Sequence, residues 1–197
     1  MRRVVILGTD HHYQWGVLHP SVSAAIRVTP AEIENFKSVV LELCDEHHVR
    51  AIAEEMTLES LGRRNDENGE IITASVPARV AVARRMPHQY SDATDAIREA
   101  RGIQVCGDIK VMIVLHDITP LEGAVLWRAE LAKRENYWLE QITAFNCWPL
   151  LFVCGANHST YFADLLVAQG VDAEVAYRDW PHIPKTKKMN PISRSRP

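Results

Sequence analysis

The chain reads as a single three-layer α/β domain, with a mostly parallel central sheet of four or five strands flanked by helices. Three observations point there. Short runs rich in β-branched and apolar residues, Val4 to Leu7, Val49 to Glu55 and Pro149 to Cys154, have the length of buried strands. Segments of helical period separate them, so the connections are crossovers and the strands parallel. The length, 197 residues, suits one domain. We divide the chain into an α/β domain over 1–180 and a basic, proline-containing tail over 181–197.

The elements follow in order. The first strand ends at Gly8, and residues 12–29, with Gly16, Pro20 and several serines, read as a loop. Thr29-Pro30 starts a helix, the threonine capping and the proline in the first turn. Ile33, Phe36, Val39, Val40, Leu43 and Cys44 give that helix one apolar face, ending near His47-His48. Val49 to Glu55 is the second strand. Residues 57–75 read as a long loop or a helix–loop insertion. Pro77 opens a helix through Met86, stopping before Pro87. His88-Gln89-Tyr90 is a short third strand, and Asp92 caps a helix that ends at Arg101-Gly102.

Ile103 to Asp117 reads as a helix, with a strand over 111–115 as the alternative. Thr119-Pro120 starts a long helix to about Phe145. Pro149 to Cys154 is a strand, Ser159 to Gln169 a helix closed by Gly170, and Asp172 to Tyr177 the last strand.

Composition narrows the function. Apolar residues make up 47% and charged ones 24%, ordinary for a soluble globular protein. A net charge of −3 gives no case for nucleic acid or a membrane surface. No apolar stretch approaches the roughly 20 residues that span a bilayer. Met1-Arg2-Arg3 runs straight into the first strand, which reads as no signal peptide. Cys44, Cys106, Cys147 and Cys154 have neither zinc-site nor disulfide-framework spacing, so we expect reduced thiols and a cytoplasmic location. The P-loop, dinucleotide and nucleophile-elbow signatures are missing from the sequence.

The chemistry concentrates at strand ends. Gly8-Thr9-Asp10-His11 and Gly155-Ala156-Asn157-His158 each follow a strand, and parallel sheets gather ligand-binding groups at that edge. The second strand delivers Glu54 and Glu55 to the same edge. Side chains alternate along a strand, so one of the two faces the site and the other faces away. His11, Glu54 and His158 are a workable ligand set for Mn²⁺, Fe²⁺ or Zn²⁺. The same groups, with Glu55, serve without metal if a histidine is the general base and a carboxylate orients it. Plain hydrogen-bonded caps at strand ends are the structural alternative.

Asp10 joins this cluster as a substrate contact. Asn157 and Ser159 open a helix whose amides suit a substrate phosphate or carboxylate, or simply receive a cap. On the long helix Arg128 and Glu135 interrupt the apolar stripe two turns apart. Burying an unpaired charge costs several kcal/mol, so they form an ion pair or line the site. Glu130 and Arg134 have the spacing of a solvated pair. Trp127, Trp138 and Trp148 read as core.

Gly8-Thr9-Asp10-His11, Ala53-Glu54-Glu55, Lys133-Arg134-Glu135-Asn136-Tyr137-Trp138 and Cys154 to His158 occur in that order. Together they resemble the elements of the TraB/Tiki and erythromycin-esterase superfamily. The chain also looks like small uncharacterised bacterial proteins with a Gly-Thr-Asp-His start, in which a stretch like His88, Tyr90, Asp92 precedes an arginine such as Arg98. The resemblance implies an α/β fold with the paired histidines and a glutamate at one site, and Arg134 and Glu135 in support. Tiki members are metal-dependent proteases and erythromycin esterases hydrolyse a lactone. This chain is shorter and lacks the membrane helices of TraB and Tiki proteins.

The leading expectation is therefore a small cytosolic hydrolase acting on an ester, amide or phosphoester of a small molecule or peptide, with or without a divalent metal. The first alternative is a non-catalytic pocket that binds or senses a nucleotide or other small molecule. The second is an interaction protein whose basic tail docks a partner. A shared site requires the two imidazoles to lie within about 10 Å of each other.

Overall fold

Five strands, all parallel, form one sheet in the order β3-β2-β4-β1-β5. The strands are β1 (Arg3–Thr9), β2 (Ala51–Glu54), β3 (His88–Tyr90), β4 (Leu150–Gly155) and β5 (Asp172–Trp180). The helices are α1 (His11–Trp15), α2 (Pro30–Glu46), α3 (Leu58–Gly62), α4 (Val76–Arg84), α5 (Asp95–Arg101), α6 (Cys106–Leu115), α7 (Pro120–Phe145) and α8 (Ser159–Ala168). This computed structural model describes residues 1–16, 28–63, 72–104, 106–116 and 118–182, apart from the side chains of Cys106 and Asp108. Most of the proline-containing tail and much of the two segments read as loops thus lie outside the described residues. Among the described residues no helix is long and apolar enough to cross a membrane.

Strand alternation divides the core. Val5, Leu7, Ile52, Leu151 and Val153 face one side and pack against Phe36 of α2 and Val76 and Val80 of α4. Val4, Ile6, Ala51, Ala53, Leu150 and Phe152 face the other and meet Trp138 and Ile142 of α7 with Phe162 and Leu166 of α8. Helices cover both faces, the only arrangement that buries strands apolar on both sides.

The connections fix where a site belongs. From β1 the chain crosses over β4 to β2, with α2 on one face; from β4 it crosses over β1 to β5, with α8 on the other. The crossovers therefore diverge from the β4–β1 pair. A crevice opens at the carboxyl ends of strands where the winding reverses.

Three sequence expectations need correction. Residues 12–29 are not all loop: α1 occupies His11–Trp15, capped by Asp10, which accepts from the His12 amide at 2.9 Å. A single turn is too short for periodicity to reveal it. Asp92 does not cap α5; Thr94 does, accepting from the Ile97 amide, and Asp92 turns inward. On α7, Leu121 and Val125 are 77% and 66% exposed, so the apolar stripe runs past the end of the core. Thr29 and Thr119 do cap α2 and α7, each in a reciprocal capping box with a glutamate three residues on.

Candidate functional site

His11, Glu55 and His158 leave the carboxyl ends of β1, β2 and β4, which are adjacent in the sheet. Glu55 follows the last residue of β2 and its amide still bonds Val153 O at 2.8 Å, so it keeps strand alternation and faces α7. Both imidazoles converge on one carboxylate oxygen. His11 Nε2 lies 3.6 Å and His158 Nε2 3.7 Å from Glu55 Oε1. The two nitrogens can be no further apart than those distances laid end to end, well inside the limit for a shared site.

Each imidazole is held from behind. His158 Nδ1 lies 2.8 Å from Glu135 Oε1. A carboxylate only accepts, so Nδ1 carries a proton, and in the neutral ring the lone pair then sits on Nε2. His11 Nδ1 lies 2.7 Å from Gln14 Oε1, three residues on along α1, and donates to that oxygen when the ring carries its proton on Nδ1. Glu135 is clamped in turn by Arg128, whose Nη1 donates to Oε1 at 2.9 Å and whose Nη2 donates to Oε2. The Arg128 guanidinium stacks 4.1 Å above the Tyr161 ring. The spacing of Arg128 and Glu135 left ion pair and site-facing role open; the geometry gives the ion pair, and neither residue lines the cavity, Glu135 reaching it only through His158.

Arg134 crosses beneath the pocket. Its Nε donates to Asp92 Oδ1 at 2.8 Å, its Nη2 to Oδ2, and its Nη1 lies 2.7 Å from Glu55 Oε1. Asp92 also accepts from Arg98 Nη2 and, at 3.0 Å, from Trp138 Nε1. Burial works to raise the Asp92 carboxyl, but the bonds and charge of Arg134, with Arg98 and Trp138, hold it well below its ordinary range. Glu55 likewise is raised by burial yet ends below its ordinary value, chiefly through the charge of Arg134. The expected Glu130–Arg134 surface pair is absent, because Arg134 turns inward and Glu130 pairs with Lys133 at 2.7 Å.

The glycines of the two motifs supply room rather than unusual torsions; among the described residues neither has a positive φ. A Cβ on Gly155 would sit 3.2 Å from both Glu55 Oε2 and His11 Nε2. The Gly155 amide donates to Glu55 Oε2 at 2.6 Å, so strand β4 itself positions the carboxylate.

Glu54 does not join the site. It faces the opposite side of the sheet, fully buried, where Ser75 Oγ donates to Oε1 and His88 Nε2 lies 2.7 Å from the same atom. The ligand set His11, Glu54 and His158 is therefore not assembled, for the reason strand alternation gives. Glu55 takes its place beside the two imidazoles, in a setting that disfavours a cation. The Arg134 guanidinium lies 2.7 Å from the oxygen the ion would need, fixing a positive charge beside it. Among the described residues no group of three or more His, Cys, Asp or Glu is arranged to hold a metal ion.

His11, Glu55, Arg134, Gly155 and His158 line a cavity of about 370 Å³. Its wall includes the candidates Asp10 and Asn157, and also Asp179 and His182, which the sequence reading passed over because it ended the last strand at Tyr177. Ser159 does not contact the cavity: its hydroxyl donates to Ala156 O and Arg178 O, both at 3.0 Å. Gln14 was also missed, although its i, i+3 spacing from His11 would have exposed it once a helix was recognised. Fold and site together define an α/β protein with a His/Glu/His pocket at the carboxyl edge of its sheet. Comparison with family models, curated proteins and solved structures finds no match to this chain.

Proposed function

We propose that the protein is a small cytoplasmic hydrolase that cleaves an ester or amide without a metal. The observation that carries this reading is the convergence of three acceptors, His11 Nε2, His158 Nε2 and Glu55 Oε1, in one cavity. Glu55 Oε1 is buried and accepts no well-aligned hydrogen bond, since Arg134 Nη1 is close but outside bonding geometry. Such a set is complementary to a species that donates hydrogens, and water is that species in a hydrolase.

The chain's own groups then divide the work. Glu55 and His11 orient the water. His158 takes a proton at Nε2 as the oxygen attacks the carbonyl carbon, and Glu135 holds the tautomer and offsets the imidazolium. The same proton passes to the leaving oxygen or nitrogen as its bond to carbon breaks. Arg134 places positive charge beside the developing oxyanion.

The test is turnover of a panel of carboxylic esters and amides in the presence of a chelator. We expect activity to survive chelation, and His158→Ala to lower kcat by roughly 10²–10⁴-fold. Chelator-sensitive turnover, or activity indifferent to His158→Ala, would overturn the reading. Thermal stabilisation by a ligand that is never turned over would favour the binding-domain alternative.

A further inference from the structure

We propose that the substrate of this pocket carries a positively charged amino group, received at the mouth by Asp179 and Asp10. The inference rests on the reading of the cavity as the substrate site and adds the chemical class.

The charge balance of the wall carries it. Three carboxylates line the cavity, Asp10, Glu55 and Asp179, with three imidazoles, His11, His158 and His182, and one guanidinium, Arg134, which is shared between Glu55 and Asp92. The charges divide by depth. On the floor Glu55 is wholly buried, and its Oε1 is turned to the cavity without a hydrogen bond. At the mouth Asp10 is 46% exposed. Asp10 uses only Oδ1, for the His12 amide and ring. Asp179 makes no hydrogen bond or ion pair among the described residues.

The fold explains why these two acids meet. β1 and β5 are neighbours in parallel register, Thr9 opposite Trp180, and Thr9 Oγ1 donates to Trp180 O at 3.1 Å. The residues flanking that pair, Asp10 and Asp179, are brought to the same strand-end edge. An anionic ligand such as a nucleotide would meet the carboxylates of Asp10 and Asp179 on entering. A cation would be drawn to the mouth, leaving its acyl group over the His/Glu/His floor.

The experiment uses two probes of matched size that carry no acyl bond to cleave, 4-aminobutan-1-ol, which is cationic, and pentan-1-ol, which is neutral. Binding to the full chain is followed by NMR titration at low and high salt. The cationic probe should bind roughly fivefold tighter at low salt, the scale of one partly exposed ion pair. Asp179→Asn should remove most of that preference, and so should high salt in the unmodified protein, which guards against a variant that folds poorly. Equal binding of the two probes, tighter binding of pentan-1-ol, or a preference unmoved by salt and by Asp179→Asn would overturn the proposal. These outcomes do not depend on turnover, so a failed ester panel and a failed cation preference are told apart.

Discussion

Replacing Arg134 by alanine should destabilise the protein by about 3–5 kcal/mol, because it leaves buried carboxylates without their principal cation. Asp92 and Glu55 are 7% and 2% exposed, and Arg134 bonds the first and faces the second at 2.7 Å. Asp92 keeps Arg98 and Trp138, while Glu55 keeps only the Gly155 amide and the two imidazoles. The effect should depend on pH. Both carboxyls lie below their ordinary values in the folded protein, against the pull of burial. A depressed carboxyl adds stability that is complete above its unfolded pKa, roughly 4, and is lost as pH falls through the folded value. Arg134→Ala removes the depression, so the gap to the unmodified protein is widest at neutral pH and closes in acid. Urea denaturation at about pH 7 and about pH 3.5 measures it. A gap below about 1 kcal/mol, or one that does not shrink in acid, would show that Arg134 is not the electrostatic keystone described above.

What the sequence disclosed and what it hid follow from the range of the interactions. Strands apolar on both faces, a proline after each capping threonine and the alternation of strand and helix are local, so the α/β class and the boundaries of α2, α7 and β4 were legible. The pairing of His11 with His158 was legible too, since each ends a strand in the same motif. Which glutamate belongs to them was not: Glu54 and Glu55 differ only by strand phase, and Glu55 lies just past the last residue of β2. The inward turn of Arg134 was equally hidden. Spacing on one helix offers Glu130 as its partner, whereas Asp92, 42 residues away, takes it in the fold. Long-range charge pairing leaves no periodic trace in a single sequence.

The two motif glycines should respond differently to the same substitution. A Cβ on Gly8 would lie 2.1 Å from Arg178 O and 2.9 Å from Ser159 Cβ. The carbonyl belongs to the backbone of β5, paired with β1, and cannot swing aside without parting the two strands. Gly8→Ala should therefore cost about 3 kcal/mol, the upper end of overpacking, with whatever protein remains folded keeping its pocket groups in place. A Cβ on Gly155 meets instead Glu55 Oε2 and His11 Nε2, each at 3.2 Å, and these side chains can give by a few tenths of an ångström. Gly155→Ala should cost only about 1 kcal/mol. It should still lower turnover by roughly tenfold or more, since the displaced groups are those that orient the water. Denaturation midpoints and kcat on the same samples separate the two effects. Gly155→Ala that keeps full turnover would show that His11 and Glu55 tolerate displacement and are not held in place for chemistry.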